Sequence, residues 1–257
     1  IATGVRLAFG AAFVLGLVSL FAQQWLINDR DSTGAATVPG LRAILSGMSK
    51  PLKNLLVSDI LIRFAEQMPY AYIAIWAMLP DPDALSVIGT GIPAALPFLG
   101  ALFVTGVSGV EFGILTAIEM VTALLVYIPV AWLADRWRKK PLVAITFVNF
   151  TLFPIVLFFA RGFPALVFAF FLRGLKEFGE PTRKALIMDL APEGRKAATF
   201  GGYYLVRDVV VSLAAFGSAF LWQAGPAPLF FGAAFFGLLG TIWFIWRGSD
   251  RIPEVTA

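Results

Sequence analysis

Long apolar stretches separated by short polar ones recur along the whole chain. Several run for about 20 residues with few or no charges, and a helix of that length crosses ~30 Å of hydrocarbon. We therefore predict seven membrane-spanning helices, at residues 1–27, 55–78, 112–134, 141–160, 164–180, 198–222 and 228–246. This pattern indicates an all-α membrane protein, a polytopic transmembrane helical bundle of about seven spans.

The composition agrees with this fold class and excludes many functions. Of 257 residues, 59% are apolar and 14% are charged, and the mean hydropathy is +0.82. The chain has neither cysteine nor histidine, which removes disulfides, thiolate nucleophiles, imidazole bases and the usual zinc ligands. No motif of an intramembrane aspartyl enzyme is present either. We expect no enzymatic activity, no cofactor and no metal site.

The basic residues indicate which loops face the cytoplasm, where lysine and arginine accumulate. Placing residues 28–54 inside also places most of the 20 basic residues inside and leaves Arg161 in an outer loop. This asymmetry explains the net charge of +4 without nucleic-acid binding. We predict an integral, multi-pass protein of the cytoplasmic (inner, plasma) membrane with a cytoplasmic C terminus.

Residues 84–110 are uncharged and long enough to span, but they contain Pro93 and Pro97, and acidic residues flank them upstream. An eighth span here would move the basic linker outside. We therefore predict that residues 79–111 form an outer-side segment that is interfacial or re-entrant, with a span as the alternative. Because this topology places Ile1 outside without a signal pattern or an initiating methionine, we expect the second part of a longer protein.

One cytoplasmic hairpin carries a recognisable motif. Residues 131–140 read Ala-Trp-Leu-Ala-Asp-Arg-Trp-Arg-Lys-Lys. They resemble the signature Gly-x-Leu-Ala-Asp-Arg-x-Gly-Arg-Lys of the major facilitator superfamily, with Ala131 and Arg138 replacing its two glycines. A second similarity to the family covers Arg173-Gly174, Gly179, Pro181, Asp189-Leu190, Pro192, Arg195 and Gly201.

The order of the segments is similar to the carboxyl-terminal half of such a transporter. The resemblance implies a span before the linker at residues 1–27, a cytoplasmic linker at 28–54 and a six-helix bundle at 55–257. It implies secondary active transport of a small molecule by alternating access, with an N-terminal half or partner bundle. The alternative is a transporter-like scaffold, an assembly or binding subunit without transport.

Four charged residues are candidates for a cytoplasmic gate. We expect the Asp135 carboxylate to cap the helix that begins near Ala198 and to pair with Arg183 or Arg195. Arg136 belongs to the same cluster. The alternative is that these basic residues only anchor the topology.

Charges within the predicted spans are few and therefore informative, because each is costly in hydrocarbon. Asp59, Arg63 and Glu66 share one helix face. We interpret Asp59 and Arg63 as a structural ion pair. Glu66, just before a kink expected at Pro69, is a candidate for substrate binding or proton coupling.

The remaining candidates for coupling or substrate binding lie deeper. Glu119 has no basic residue in its helix, so we expect it to be protonated, either as a proton or cation site or as a structural acid. We expect Arg173 and Glu177 to lie near the midplane with Arg207 and Asp208, and either to bind substrate or to form a structural network. Cross-helix pairs of Arg173 with Asp208, or of Glu177 with Arg207, would satisfy all four. An apparent surplus of two carboxylates over bases in the spans suggests proton coupling.

Overall fold

The computed structural model describes residues 2–26, 40–79, 106–134, 136 and 138–250. All regular structure within these residues is helical, which confirms the predicted all-α class. The chain divides into two compact units. The first contains helix α1, Ala2–Leu26, and the second contains all the other described helices.

The second unit is built from helices of very different lengths. They are α2 (Leu41–Gly47), α3 (Lys50–Tyr70), α4 (Ile73–Met78), α5 (Gly109–Ala134), α6 (Lys139–Phe159), α7 (Gly162–Leu175), a 3₁₀ turn (Lys176–Gly179), α8 (Glu180–Leu190), α9 (Lys196–Ala224) and α10 (Pro226–Arg247).

Four described helices are long and apolar enough to cross a membrane. They contain the segments Gly109–Val130, Lys139–Phe159, Lys196–Ala224 and Pro226–Arg247. Two other predicted spans are interrupted helices. Residues 55–78 form α3 and α4, which are separated by a turn directly after Pro69 and Tyr70. Residues 164–180 form α7 and the 3₁₀ turn, and the helix continues as α8 to Leu190.

Helix α3 begins earlier than the apolar pattern suggested. The Ser49 hydroxyl accepts a hydrogen bond from the Leu52 backbone N–H at 3.4 Å, and Pro51 occupies the first turn. A serine cap followed by proline is a standard helix start, since both satisfy or remove unpaired amides. The Ser49 hydroxyl also donates to the Leu190 carbonyl at 3.0 Å, which ties the start of α3 to the end of α8.

Helix α10 packs closely against α3 and α6 through small residues. A Cβ on Gly240 would lie 2.9 Å from the Ser58 carbonyl oxygen, and one on Gly237 would lie 2.9 Å from Thr151 Oγ1. The Thr151 and Thr241 hydroxyls hydrogen-bond each other at 2.9 Å. Close backbone approach and hydroxyl pairs are what hold apolar helices together where no hydrophobic driving force exists between them.

Three hydrophobic clusters lie between the described helices. One contains Leu55 and Phe147, another contains Trp76 and Phe170, and the third contains Leu229.

Several predictions fall outside the described residues. They concern residues 28–39 of the linker, the outer-side segment over residues 80–105, and Asp135.

Candidate functional site

Ten charged side chains form a continuous series of ion pairs through the second unit, with acids and bases alternating. Every neighbouring pair lies at 3.9 Å or less. We call this series the ion chain. It joins α9, α3, α8, the 3₁₀ turn, α5 and α7. In order, its members are Asp208, Arg207, Asp59, Arg183, Glu180, Arg63, Glu66, Lys176, Glu119 and Arg173.

Asp59 is the most deeply buried member, with an exposed fraction of 0%. Its Oδ2 atom accepts a hydrogen bond from Arg183 and one from the Tyr203 hydroxyl at 3.1 Å. Arg207 Nη1 lies 3.6 Å from the same oxygen, and Arg63 Nε lies 3.9 Å from Oδ1. The predicted pair of Asp59 with Arg63, both on α3, is thus the longest of the Asp59 contacts, and the shorter ones connect α3 to α8 and α9.

Arg63 and Glu66 occupy the middle of the ion chain. Arg63 donates to Glu66 at 2.5 Å and to Glu180 at 2.9 Å. Glu66 accepts a second bond from Lys176 at 2.8 Å. Lys176 Nζ also lies 3.7 Å from Glu119. One ammonium is therefore shared by two carboxylates from different helices.

The expectation that Glu119 stands alone among apolar neighbours is wrong, because it has basic partners from other helical segments. Its Oε2 atom accepts a hydrogen bond from Arg173 at 2.8 Å. The physical reason is the close contact of α5 with α7 at Gly174, where an added Cβ would lie 2.6 Å from Thr122 Cβ and 2.7 Å from the Glu119 carbonyl oxygen. This contact brings Arg173 within reach of Glu119.

The two cross-helix pairs expected for Arg173 and Glu177 are also wrong. Arg207 binds its neighbour Asp208, with Nε at 2.8 Å and Nη2 at 2.7 Å from Oδ1. Adjacent helical residues point about 100° apart, but an arginine side chain is long enough to bridge that angle. The Asp208 side chain is 60% exposed, whereas Arg207 is buried.

Glu177 lies on the 3₁₀ turn beside the ion chain. It accepts a hydrogen bond from the Tyr127 hydroxyl of α5 at 3.3 Å. The described part of the chain contains no base within ion-pair distance of it. The predicted spans contained six carboxylates and four bases. Arg183 adds a fifth base, which reduces the surplus of carboxylates from two to one.

The 3₁₀ turn places Lys176 and Glu177, and helix α6 supports it. A 3₁₀ turn leaves helical carbonyls without their usual partners, and the Asn149 side chain donates to the Leu175 carbonyl at 3.2 Å. Gly179 fits against α6 so closely that an added Cβ would lie 2.4 Å from Thr146 Oγ1.

Aromatic rings of α6 lie under the bases of the ion chain. The Phe150 ring centroid is 5.3 Å from the Arg63 guanidinium carbon and 5.9 Å from Lys176 Nζ. Phe153 is 5.7 Å from the guanidinium of Arg173. Such cation–π contacts help compensate for the loss of water around a buried cation.

The predicted gate residues are not brought together in the described structure. Arg183 is only 1% exposed and belongs to the ion chain. Arg136 stacks over the Trp132 ring at 3.8 Å. Arg195 is exposed at the start of α9. The pairing expected of Asp135 lies outside the described residues.

The predicted inner ends of the helices are linked by a second set of polar contacts. Arg138 binds Asp250 through Nη2 at 3.0 Å and Nε at 3.2 Å. These hydrogen bonds hold the pKa of Asp250 below its ordinary value. Lys140 donates to the Ile245 carbonyl at 2.9 Å, and Lys139 pairs with Asp189.

Sequence comparison identifies the family of this ion-paired bundle. The family model described as Major Facilitator Superfamily matches residues 84–256, about two thirds of the chain. The chain belongs to the major facilitator superfamily. It is therefore an integral multi-pass membrane protein of a family whose members are membrane transporters of small molecules and not enzymes. A search of curated proteins found no match.

Sequence reasoning missed several contributors to the site. Asn149 is an amide side chain within an apolar predicted span, and a polar residue in that setting indicates a specific contact. Arg183 was assigned to the inner surface because α8 was not predicted. Tyr203 is fully buried, and its hydroxyl donates to Asp59. Tyr127 gave no signal in the sequence pattern.

Proposed function

We propose that this chain forms part of a secondary active transporter that moves a small molecule by alternating access and is coupled to protons. The observation that carries the proposal is the sharing of bases within the ion chain. Lys176 lies between two carboxylates, and Arg63 lies between three. A base that changes partner keeps its charge compensated, so helices can shift without exposing an unpaired ion.

The second support is the exposed face of α9. Asp208 is 60% exposed on a helix long enough to span the membrane, and Ser212 and Gly201 on the same helix are also exposed. A carboxylate at that depth is costly against lipid. We infer that this face meets water in a transport pathway or a second helical bundle, such as an N-terminal half.

In this proposal the candidates for coupling or substrate binding are Glu66, Glu119, Arg173, Glu177, Arg207 and Asp208. The gate on the cytoplasmic side would be formed by Asp135, Arg136 and Arg195, and Arg183 would act through the ion chain. The C terminus would be cytoplasmic, and the membrane would be the cell's cytoplasmic membrane. The positive-inside distribution of lysine and arginine supports this topology.

Transport by the complete protein is the direct test. Vesicles that contain the protein and an entrapped pH indicator are exposed to a panel of organic cations, organic anions and neutral lipophilic compounds. We expect at least one compound to move protons across the membrane, and Glu119→Gln or Asp208→Asn to reduce that flux. The proposal fails if no compound moves protons, or if both variants leave pH-gradient-driven uptake unchanged.

A transporter-like scaffold is the second candidate. One observation favours it: each ion-chain carboxylate already has a basic partner inside the bundle, as a purely structural network requires. Stoichiometric recovery of the protein in a larger membrane complex, together with absence of uptake, would support the scaffold.

A further inference from the structure

Helix α3 exposes two uncharged polar side chains at the point where it is interrupted. Gln67 and Tyr70 lie one turn apart, directly before the turn that separates α3 from α4. Gln67 is exposed, and Tyr70 is 58% exposed. Among the described residues, neither the Gln67 amide nor the Tyr70 hydroxyl has a hydrogen-bond partner. Both groups are therefore available to bind another molecule.

The depth of Gln67 argues against contact with lipid. It lies about 12 residues, or ~18 Å of helix, from the inner end of the predicted span at residues 55–78. An amide at that depth is costly against hydrocarbon, because lipid offers it no hydrogen-bond partner. We therefore expect the Gln67 side chain to face a polar partner.

A second interrupted helix reaches the same place. The guanidinium carbon of Arg173, near the end of α7, lies 5.6 Å from the centroid of the Tyr70 ring. Beyond α7 the chain passes into the 3₁₀ turn, so Tyr70 joins the interruption of α3 to that of α7 and α8. Interrupted helices near the bilayer midplane are where transporters form their substrate sites.

We propose that Gln67 and Tyr70 bind the substrate, and that the substrate is an uncharged organic molecule with hydrogen-bond donors and acceptors on an apolar body. The inference rests on the proposed function and names its substrate class. An amide both donates and accepts hydrogen bonds, and a tyrosine ring offers an apolar surface beside its hydroxyl. Ala71, the next residue, is also exposed and adds apolar surface.

The balance of charges is the reason for an uncharged substrate. The ion chain contains five acids and five bases. Glu177 and Lys184 beside it add one charge of each sign, so the formal charges of this region sum to zero. A charged substrate would bring an uncompensated charge to mid-depth, which is costly, whereas an uncharged one leaves the balance intact. The charged candidates then act in coupling.

Cysteine protection tests the inference separately from transport. The reporter is Ala71→Cys, one turn from Gln67, and the matched control is Lys53→Cys at the exposed inner end of α3. Each variant is reconstituted in vesicles of phosphatidylcholine and phosphatidylglycerol and labelled with N-ethylmaleimide. The probes are compounds of the transport panel in sets that share a ring system and differ in charge, such as naphthamide, naphthoate and naphthylmethylammonium.

We expect both cysteines to react, and an uncharged member of a set to slow the labelling of Ala71→Cys but not that of Lys53→Cys. Adding Gln67→Leu or Tyr70→Leu to the reporter should raise the concentration needed for half-protection about tenfold, the effect of one lost hydrogen bond. Both residues are exposed, so we expect these substitutions to leave the fold intact.

An unreactive Ala71→Cys would place this face against lipid and overturn the inference. Protection by charged compounds instead of uncharged ones, protection that Gln67→Leu and Tyr70→Leu leave unchanged, or protection by no compound would overturn it as well. Protection by an uncharged compound that is not transported would leave the binding site in place and refute only the transporter. Transport of a compound that does not protect Ala71→Cys would refute only the site.

Discussion

Lys176 donates a hydrogen bond to Glu66 at 2.8 Å, and this contact joins the two parts of the ion chain. On one side lie Glu119 and Arg173, and on the other lie the remaining members from Glu66 to Asp208. The ammonium group comes from a 3₁₀ turn and the carboxylate from α3, so the contact also links two interrupted helices.

We predict that Lys176→Met destabilises the protein. Glu66 and Glu119 would each lose one basic partner and keep one arginine. We therefore expect the free energy of unfolding to fall by about 1–3 kcal/mol, the usual cost of a buried polar group that loses a hydrogen-bond partner. Thermal unfolding in detergent measures it. The matched control is Lys184→Met, because Lys184 is 51% exposed and 3.8 Å from Glu180; its expected effect is about 0–1 kcal/mol. Equal effects of the two substitutions would argue against an integrated ion chain.

Gly179 tests the support of the 3₁₀ turn by α6. An alanine Cβ there would lie 2.4 Å from Thr146 Oγ1 and 2.7 Å from the Leu142 carbonyl oxygen. We expect Gly179→Ala to lower stability by about 1–3 kcal/mol, as overpacking does. Gly201→Ala is the control, because no atom lies within 4 Å of the added Cβ and alanine favours a helix. A neutral Gly179→Ala variant would contradict the close packing.

The contact between Arg138 and Asp250 gives a pH prediction. Hydrogen bonding to Arg138 lowers the pKa of Asp250 in the folded protein. The stabilising contribution is therefore present above the ordinary aspartate pKa of about 3.9 and is lost as the pH falls through the lower folded value. The protection of the amides at residues 248–250 against hydrogen exchange, relative to the intrinsic rate at each pH, should fall over that range and should be low at every pH in Arg138→Gln. Protection that stays constant with pH in the wild type would contradict it.

Topology can be tested by labelling, because this chain contains no cysteine. Single cysteines at Arg138 and Arg195 should react with an impermeant maleimide added to the cytoplasmic side. A cysteine at Arg161 should react only from the opposite side. The reverse pattern would overturn the assignment of sides that the basic residues gave.

The sequence predicted the helices better than it predicted their contacts. Apolar length alone located α5, α6, α9 and α10, because hydrocarbon thickness fixes the length of a spanning helix. The interruption after Pro69 followed from the missing amide of proline. The start of α3 was not predicted, because its capping residue Ser49 precedes the apolar stretch in the sequence.

Pairing between helices was not predictable in the same way. Glu119 meets Arg173 because Gly174 allows α5 and α7 to approach, and this depends on the rotation of both helices about their axes. Arg183 was expected at the inner surface because the span was ended at Glu180. Since the helix continues to Leu190, Arg183 is enclosed and binds Asp59.

The central claim is that the exposed face of α9 lines a pathway that opens to one side at a time. Gly201 and Ala215 lie about four turns apart on the same face of α9 as Asp208, and both are exposed. Cysteines placed at these positions in the protein are labelled with an impermeant maleimide under pH gradients of either direction, with Ile128→Cys on α5 as a control for lipid exposure. We predict reciprocal changes, with Gly201→Cys becoming more reactive under the gradient that protects Ala215→Cys. Reactivities that are insensitive to the gradient at both positions would contradict alternating access.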